Sequence, residues 1–127
     1  MQVTVSPRLT KKKKQVTEFA QKLLANKLAR AIDFLDDPYV TPVDTGAYAN
    51  SMTLNQRGDS SGPSISSRRK ERGQDQNSVL NDMTSRLYSQ LESIDTLRGA
   101  TFVNRSPHAQ KVENRYATFE QLRSVLR

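Results

Sequence analysis

The chain has no cysteine and no tryptophan, one histidine, and only five glycines and five prolines among 127 residues. Without cysteine, disulfides and thiolate chemistry are excluded, and a reducing compartment is natural. With His108 as the single imidazole, a multi-histidine metal centre is excluded as well, and no cofactor is expected. No apolar run approaches membrane-spanning length, and the N-terminus lacks the apolar core of a signal peptide. The expectation is a soluble chain, made in the cytoplasm, with no membrane partner.

Apolar residues are scarce too, at 35% with 6% aromatic. The length suits one domain spanning residues 1–127. That little apolar material makes a thin core, so part of the chain is expected to be disordered alone or to gain burial from a partner.

What the chain does have is positive charge, a net +7, unevenly distributed. Residues 1–14 hold Arg8, Lys11, Lys12, Lys13 and Lys14 and no acid, and read as a basic N-terminal arm. Residues 57–78 combine Arg57, Arg68, Arg69, Lys70 and Arg72 with glycine, serine and glutamine, and read as a long, flexible, basic loop. A short strand around Ser64–Ser67 is a further expectation. Residues 97–127 are basic as well, and the remainder is mildly acidic. Such clusters suit either solubility or contact with a polyanion.

Between these segments the apolar pattern is regular. Val16, Phe19, Ala20, Leu23, Leu24, Leu28, Ala31, Ile32 and Leu35 form one stripe, predicting a long helix that Pro38 ends. Met52-Thr53-Leu54 alternates as a short strand. Val79, Leu80, Met83, Leu87, Leu91 and Ile94 predict a second helix, capped by Asn77 or Ser78. Arg98–Asn104 reads as a strand with Thr101 and Val103 on one face and Phe102 on the other. Ser106-Pro107 predicts a cap and first helical position for a short helix through Glu113, with Ala109 and Val112 on one side. Thr118-Phe119-Glu120-Gln121 has capping-box form and opens a last turn or two, with Leu122, Val125 and Leu126 inward. The expected class is α+β: a long N-terminal helix and one or two further helices on a small, mostly antiparallel sheet, with a long flexible loop.

Catalytic patterns are weak. Ser106 and His108 lack an oriented acid to make a triad. Asp44 with Glu113, or Asp36 with Asp37, could pair carboxylates, but acids beside turns are usually caps. Arg57-Gly58-Asp59 and the Gly58–Gly62 stretch match short motifs in letters only. Ser66–Arg72 has the composition of a nucleic-acid patch without the interleaved aromatics that stack on bases. No catalytic residue is assigned, and the chain is not expected to be an enzyme.

Pro42-Val43-Asp44-Thr45-Gly46 reads first as a turn that ends one element and aims the next. Pro42 fixes φ, Asp44 and Thr45 can bond nearby amides, and Gly46 can adopt positive φ. Taken with the second half, it forms an ordered pair. The turn leads into a strand; later comes Phe102-Val103-Asn104 and then Pro107, Ala109, Val112 and Glu113. This order resembles the tail-completion or neck proteins of tailed bacteriophages, over roughly residues 15–56 and 87–115. Three positions depart from the family pattern: Ala47, His108 in place of tyrosine, and Asn114 in place of glycine, where asparagine can still close a helix. The resemblance implies a structural virion protein of the neck. Its partners would be copies of itself in a ring (six favoured, twelve compatible) and other neck, connector and tail proteins, with non-specific contact to passing double-stranded DNA. Lys11, Lys12, Lys13, Lys14, Arg68, Arg69, Lys70 and Arg72 would then face DNA or an adjacent ring. The alternative is a small basic nucleic-acid-binding regulator, for which no helix-turn-helix or RNA-binding motif is present.

Overall fold

The computed structural model describes residues 1–5, 14–43, 47–62, 75–107 and 109–127. It is an α+β arrangement in the order β1 (Gln2–Val5), α1 (Lys14–Leu35), α2 (Ala47–Asn50), β2 (Met52–Gln56), α3 (Gln76–Ser93), a 3-10 turn (Thr96–Arg98), β3 (Ala100–Asn104), α4 (Ala109–Tyr116) and α5 (Thr118–Leu126). The strands form one antiparallel sheet in the order β1-β3-β2. Val3, Phe102 and Leu54 lie abreast across it, as do Val5 and Ala100. These residues face the core shared with α1, α3 and α5. The opposite face is polar: Thr4 and Thr101 share a hydrogen bond of 2.9 Å, and Thr53 donates to the Val103 carbonyl at 3.3 Å.

The three longest predicted elements form as the periodicity requires. In α3, Val79, Leu80, Met83 and Leu87 are buried, while Leu91 and Ile94 pack at the core's edge. Its cap is neither Asn77 nor Ser78: Asp75 accepts from the Ser78 amide at 2.7 Å, so the helix starts earlier than its apolar stripe. The polar Gln76-Asn77-Ser78 needs no core to join it, only a side-chain acceptor for its free amides. Those amide and hydroxyl bonds to Ser78 also hold the Asp75 carboxyl below its usual range.

Both ends of the expected 57–78 loop are therefore in ordered structure. At one end, the Arg57 amide bonds the Gly99 carbonyl at 3.0 Å, and the Asn55 side chain donates to the Asp59 and Ser61 carbonyls. The middle, including Ser64–Ser67, Arg68, Arg69, Lys70 and Arg72, lies outside the described residues. The N-terminal arm is likewise shorter than expected. Gln2–Val5 is an edge strand with Val3 and Val5 inward, and Lys14 is already the first residue of α1; Arg8 and Lys11–Lys13 lie outside the described residues.

The α1 stripe is only half used. Leu28, Ala31, Ile32 and Leu35 are buried, yet Phe19 and Leu23 are 64% and 53% exposed. Length explains this. Twenty-two residues extend α1 to about 33 Å, whereas strands of four or five residues reach only about 17 Å.

Two helix ends differ from expectation. The helix that was to close at Asn114 runs on to Tyr116, and Ala117 takes the left-handed conformation instead, with φ 53°. Thr118 opens α5 but does not cap it: its hydroxyl donates to the Val40 carbonyl, and Gln121 reaches the Tyr116 carbonyl at 2.8 Å.

Candidate functional site

The two segments that carry the sequence resemblance meet at Asn104. Its side-chain amide donates to the Tyr48 carbonyl at 2.7 Å, and its side-chain oxygen accepts from the Ser106 amide at 3.0 Å. Asn104 is 1% exposed, so these bonds form away from water, where an unmade bond is costly. One side chain thus joins the helical turn after Gly46 to the connection between β3 and α4.

Around this link, Val43 and Tyr48 enter the core and Pro42 is half-buried. Asp44, Thr45 and Gly46 lie outside the described residues, as does His108. Pro107 is exposed, and the helix begins two residues later than expected, at Ala109, whose amide bonds the Ser106 carbonyl at 3.1 Å. Ala109 is buried, and Val112 packs against the core from the same side. Phe102 and Val103 point to opposite faces of β3, with Phe102 in the core.

Glu113 is a cap. Its carboxylate accepts from the amides of Phe119 at 2.7 Å and Glu120 at 3.2 Å, the free donors at the start of α5. An acid at this helical position therefore ties α4 to α5, in keeping with the reading of acids beside turns as caps. Glu113→Gln should weaken one of these bonds and the favourable dipole contact, costing about 1 kcal/mol in a denaturant titration. An unchanged midpoint would mean that α5 does not depend on this cap.

A second clamp, from α3, has no counterpart among the expected site residues. Arg86 donates to the carbonyls of Ala49 at 2.9 Å and Met52 at 3.0 Å, on either side of the junction between α2 and β2. One turn on, Gln90 accepts from the Leu54 amide at 2.8 Å. The outer edge of β2 is thereby occupied within the chain, so this edge does not await a neighbour's strand. Four-residue spacing of two polar residues beside the α3 stripe was the only sequence signal, and it names no partner.

The buried hydroxyls of Thr41, Ser51 and Ser106 have no hydrogen-bond partner among the described residues. Burial, and then the nearby Glu113 carboxylate, keep the Tyr48 phenol well above its ordinary pKa despite the neighbouring Thr118 hydroxyl, so it stays neutral. No cluster of acids or histidine that could hold a metal occurs among the described residues. No described helix is long and apolar enough to cross a membrane.

No protein-family model, curated protein or solved structure matches the chain.

Proposed function

We propose that this chain is a structural virion protein of a tailed-phage neck, a tail-completion or tail-terminator subunit. Copies of it would close into a ring, six favoured, that joins the head connector to the tail around the DNA channel. The observation that supports the reading is Asn104. The turn segment and the strand–helix segment that resemble the family are separated by more than forty residues, yet one buried side chain holds them together. A motif pair so joined suits a scaffold, because its described polar residues Asn104 and Glu113 are spent on a link and a cap. The exposed Phe19 and Leu23 of the α1 stripe support the same reading, since they leave apolar surface for a neighbouring subunit.

The purified protein distinguishes this from a nucleic-acid-binding regulator. A neck subunit should assemble beyond a dimer as its concentration rises. It should bind duplex DNA weakly, without sequence preference, and lose it steeply with salt. Neutralising Arg68, Arg69, Lys70 and Arg72 should leave the melting temperature nearly unchanged while lowering the yield of DNA-retaining particles in complementation. A monomer or dimer that binds one duplex sequence tightly at physiological salt would establish the regulator instead.

A further inference from the structure

α1 and α5 run antiparallel: the start of α5 meets the segment after α1, through Thr118 and Val40, while its end lies beside the middle of α1. At that far end is a groove of about 280 Å³ lined by Leu23, Asn26, Lys27, Arg30, Val125 and Arg127. Its apolar walls are Leu23 and Val125. Lys27, Arg30 and Arg127 have no ion-pair partner among the described residues, unlike neighbouring Arg123, which pairs with Glu120 at 3.2 Å. The groove is thus apolar, cationic and unneutralised.

At the near end stands its complement. Tyr39 is 85% exposed, the most exposed of the large hydrophobic side chains described. It is held out by a tight turn in which the Asp37 carboxylate accepts from the Tyr39 amide at 2.8 Å. Asp36 and Asp37 follow the C-terminal end of α1, whose last turn has no basic residue, while the Asp33 carboxylate accepts from the Tyr88 hydroxyl. Carboxylates at that end oppose the helix dipole, so this is a charge arrangement that gains from an external cation. An engineered cavity of about 150 Å³ admits benzene, so the groove has room for a phenol ring.

We propose that the Asp36-Asp37-Pro38-Tyr39 knob of one copy docks into the α1–α5 groove of the next, with Tyr39 against Leu23 and Val125 and the aspartates facing Lys27 and Arg30. The inference rests on the ring reading and assigns its contact. Knob and groove sit at opposite ends of α5, roughly 13 Å apart for a nine-residue helix, so a chain cannot fill its own groove. A contact between two different patches is head-to-tail, and it forms a ring where its rotation closes. Bare cations would also attract phosphate, but a polyanion has no use for the apolar walls or for an exposed tyrosine beside acids.

Charge reversal tests the contact in the full chain by sedimentation of the purified protein, with circular dichroism melts to confirm folding. Arg30→Glu and Asp36→Lys, both at exposed positions, should each weaken self-association at least about tenfold. Combined in one chain they should bring it back to within about threefold of wild type, because the reversed charges again face each other. Tyr39→Ala should weaken it with no change in melting temperature. Lys27→Glu replaces Arg30→Glu if that variant melts early. Wild type that assembles while the single reversals assemble equally well, or a combination no better than its worse parent, overturns this contact and leaves the ring standing. Arg30→Glu that loses only duplex DNA binding overturns it in favour of a phosphate site. Folded wild type that stays monomeric at every concentration overturns both the contact and the ring.

Discussion

Gly99→Ala lowers the stability of the folded chain by about 3 kcal/mol or more, a fall of roughly 10–15 °C in melting temperature. Gly99 joins the Thr96–Arg98 turn to β3 with φ 87° and ψ 163°, a combination that side-chain-bearing residues hardly adopt. A Cβ there would also lie 2.5 Å from the Val5 carbonyl oxygen and about 3.1–3.2 Å from the Arg57 side chain. The first neighbour is backbone of β1 and cannot swing away. The Gly99 carbonyl meanwhile accepts from the Arg57 amide at 3.0 Å and the Gln56 side chain at 2.7 Å, so the glycine cannot rotate without releasing β2. Relief must come from β1 leaving the sheet. Hydrogen exchange should accordingly show Val3 and Val5 losing protection before β2 does. A melting temperature within a degree or two of wild type would mean that Gly99 has an ordinary conformation and that β1 is not paired at this register.

The second large effect is at Asn104. Asn104→Asp keeps the shape and the acceptor for the Ser106 amide, but it turns the donor facing the Tyr48 carbonyl into a second acceptor. At neutral pH a buried carboxylate then opposes a carbonyl oxygen, costing about 3–4 kcal/mol. The pH dependence carries the diagnosis. Burial raises the folded pKa of the new carboxyl above its unfolded value of about 3.9, so the deficit grows as pH rises between the two values and shrinks on acidification. Asn104→Ala should cost about 2 kcal/mol with no such pH dependence, because it leaves the Ser106 amide without its partner. Equal, pH-independent losses in both variants would mean that only the volume of Asn104 matters.

These two positions show what a single sequence reveals and what it conceals. Periodicity exposed α1, α3 and the β3 strand, because each repeats its own local signal over several residues. Val3 and Val5 alternate with Gln2 and Thr4 as a strand should, but four residues beside a basic run have no meaning without β3, about a hundred positions away. Gly99 is the same case: nothing near it announces that a distant Val5 carbonyl occupies the space of its side chain. Glu113 was legible as a motif position and, as an acid beside a turn, as a cap, but not which amides it serves, since these belong to the next helix. Arg86 and Gln90 were invisible as clamps for a related reason. Local pattern tells that a polar residue lies off the stripe, not which carbonyl it will find. Phe19 and Leu23 erred the other way. Their spacing matched the stripe, but the stripe is longer than the sheet beneath it.

Deleting the gene from the genome that encodes it and imaging the resulting lysate by electron microscopy tests the proposed neck role most directly. A neck subunit, as proposed, should leave DNA-filled or emptied heads and free tails, unjoined, with joined particles restored by wild-type protein supplied in trans. Infectious, fully joined particles in the complete absence of the protein would contradict it.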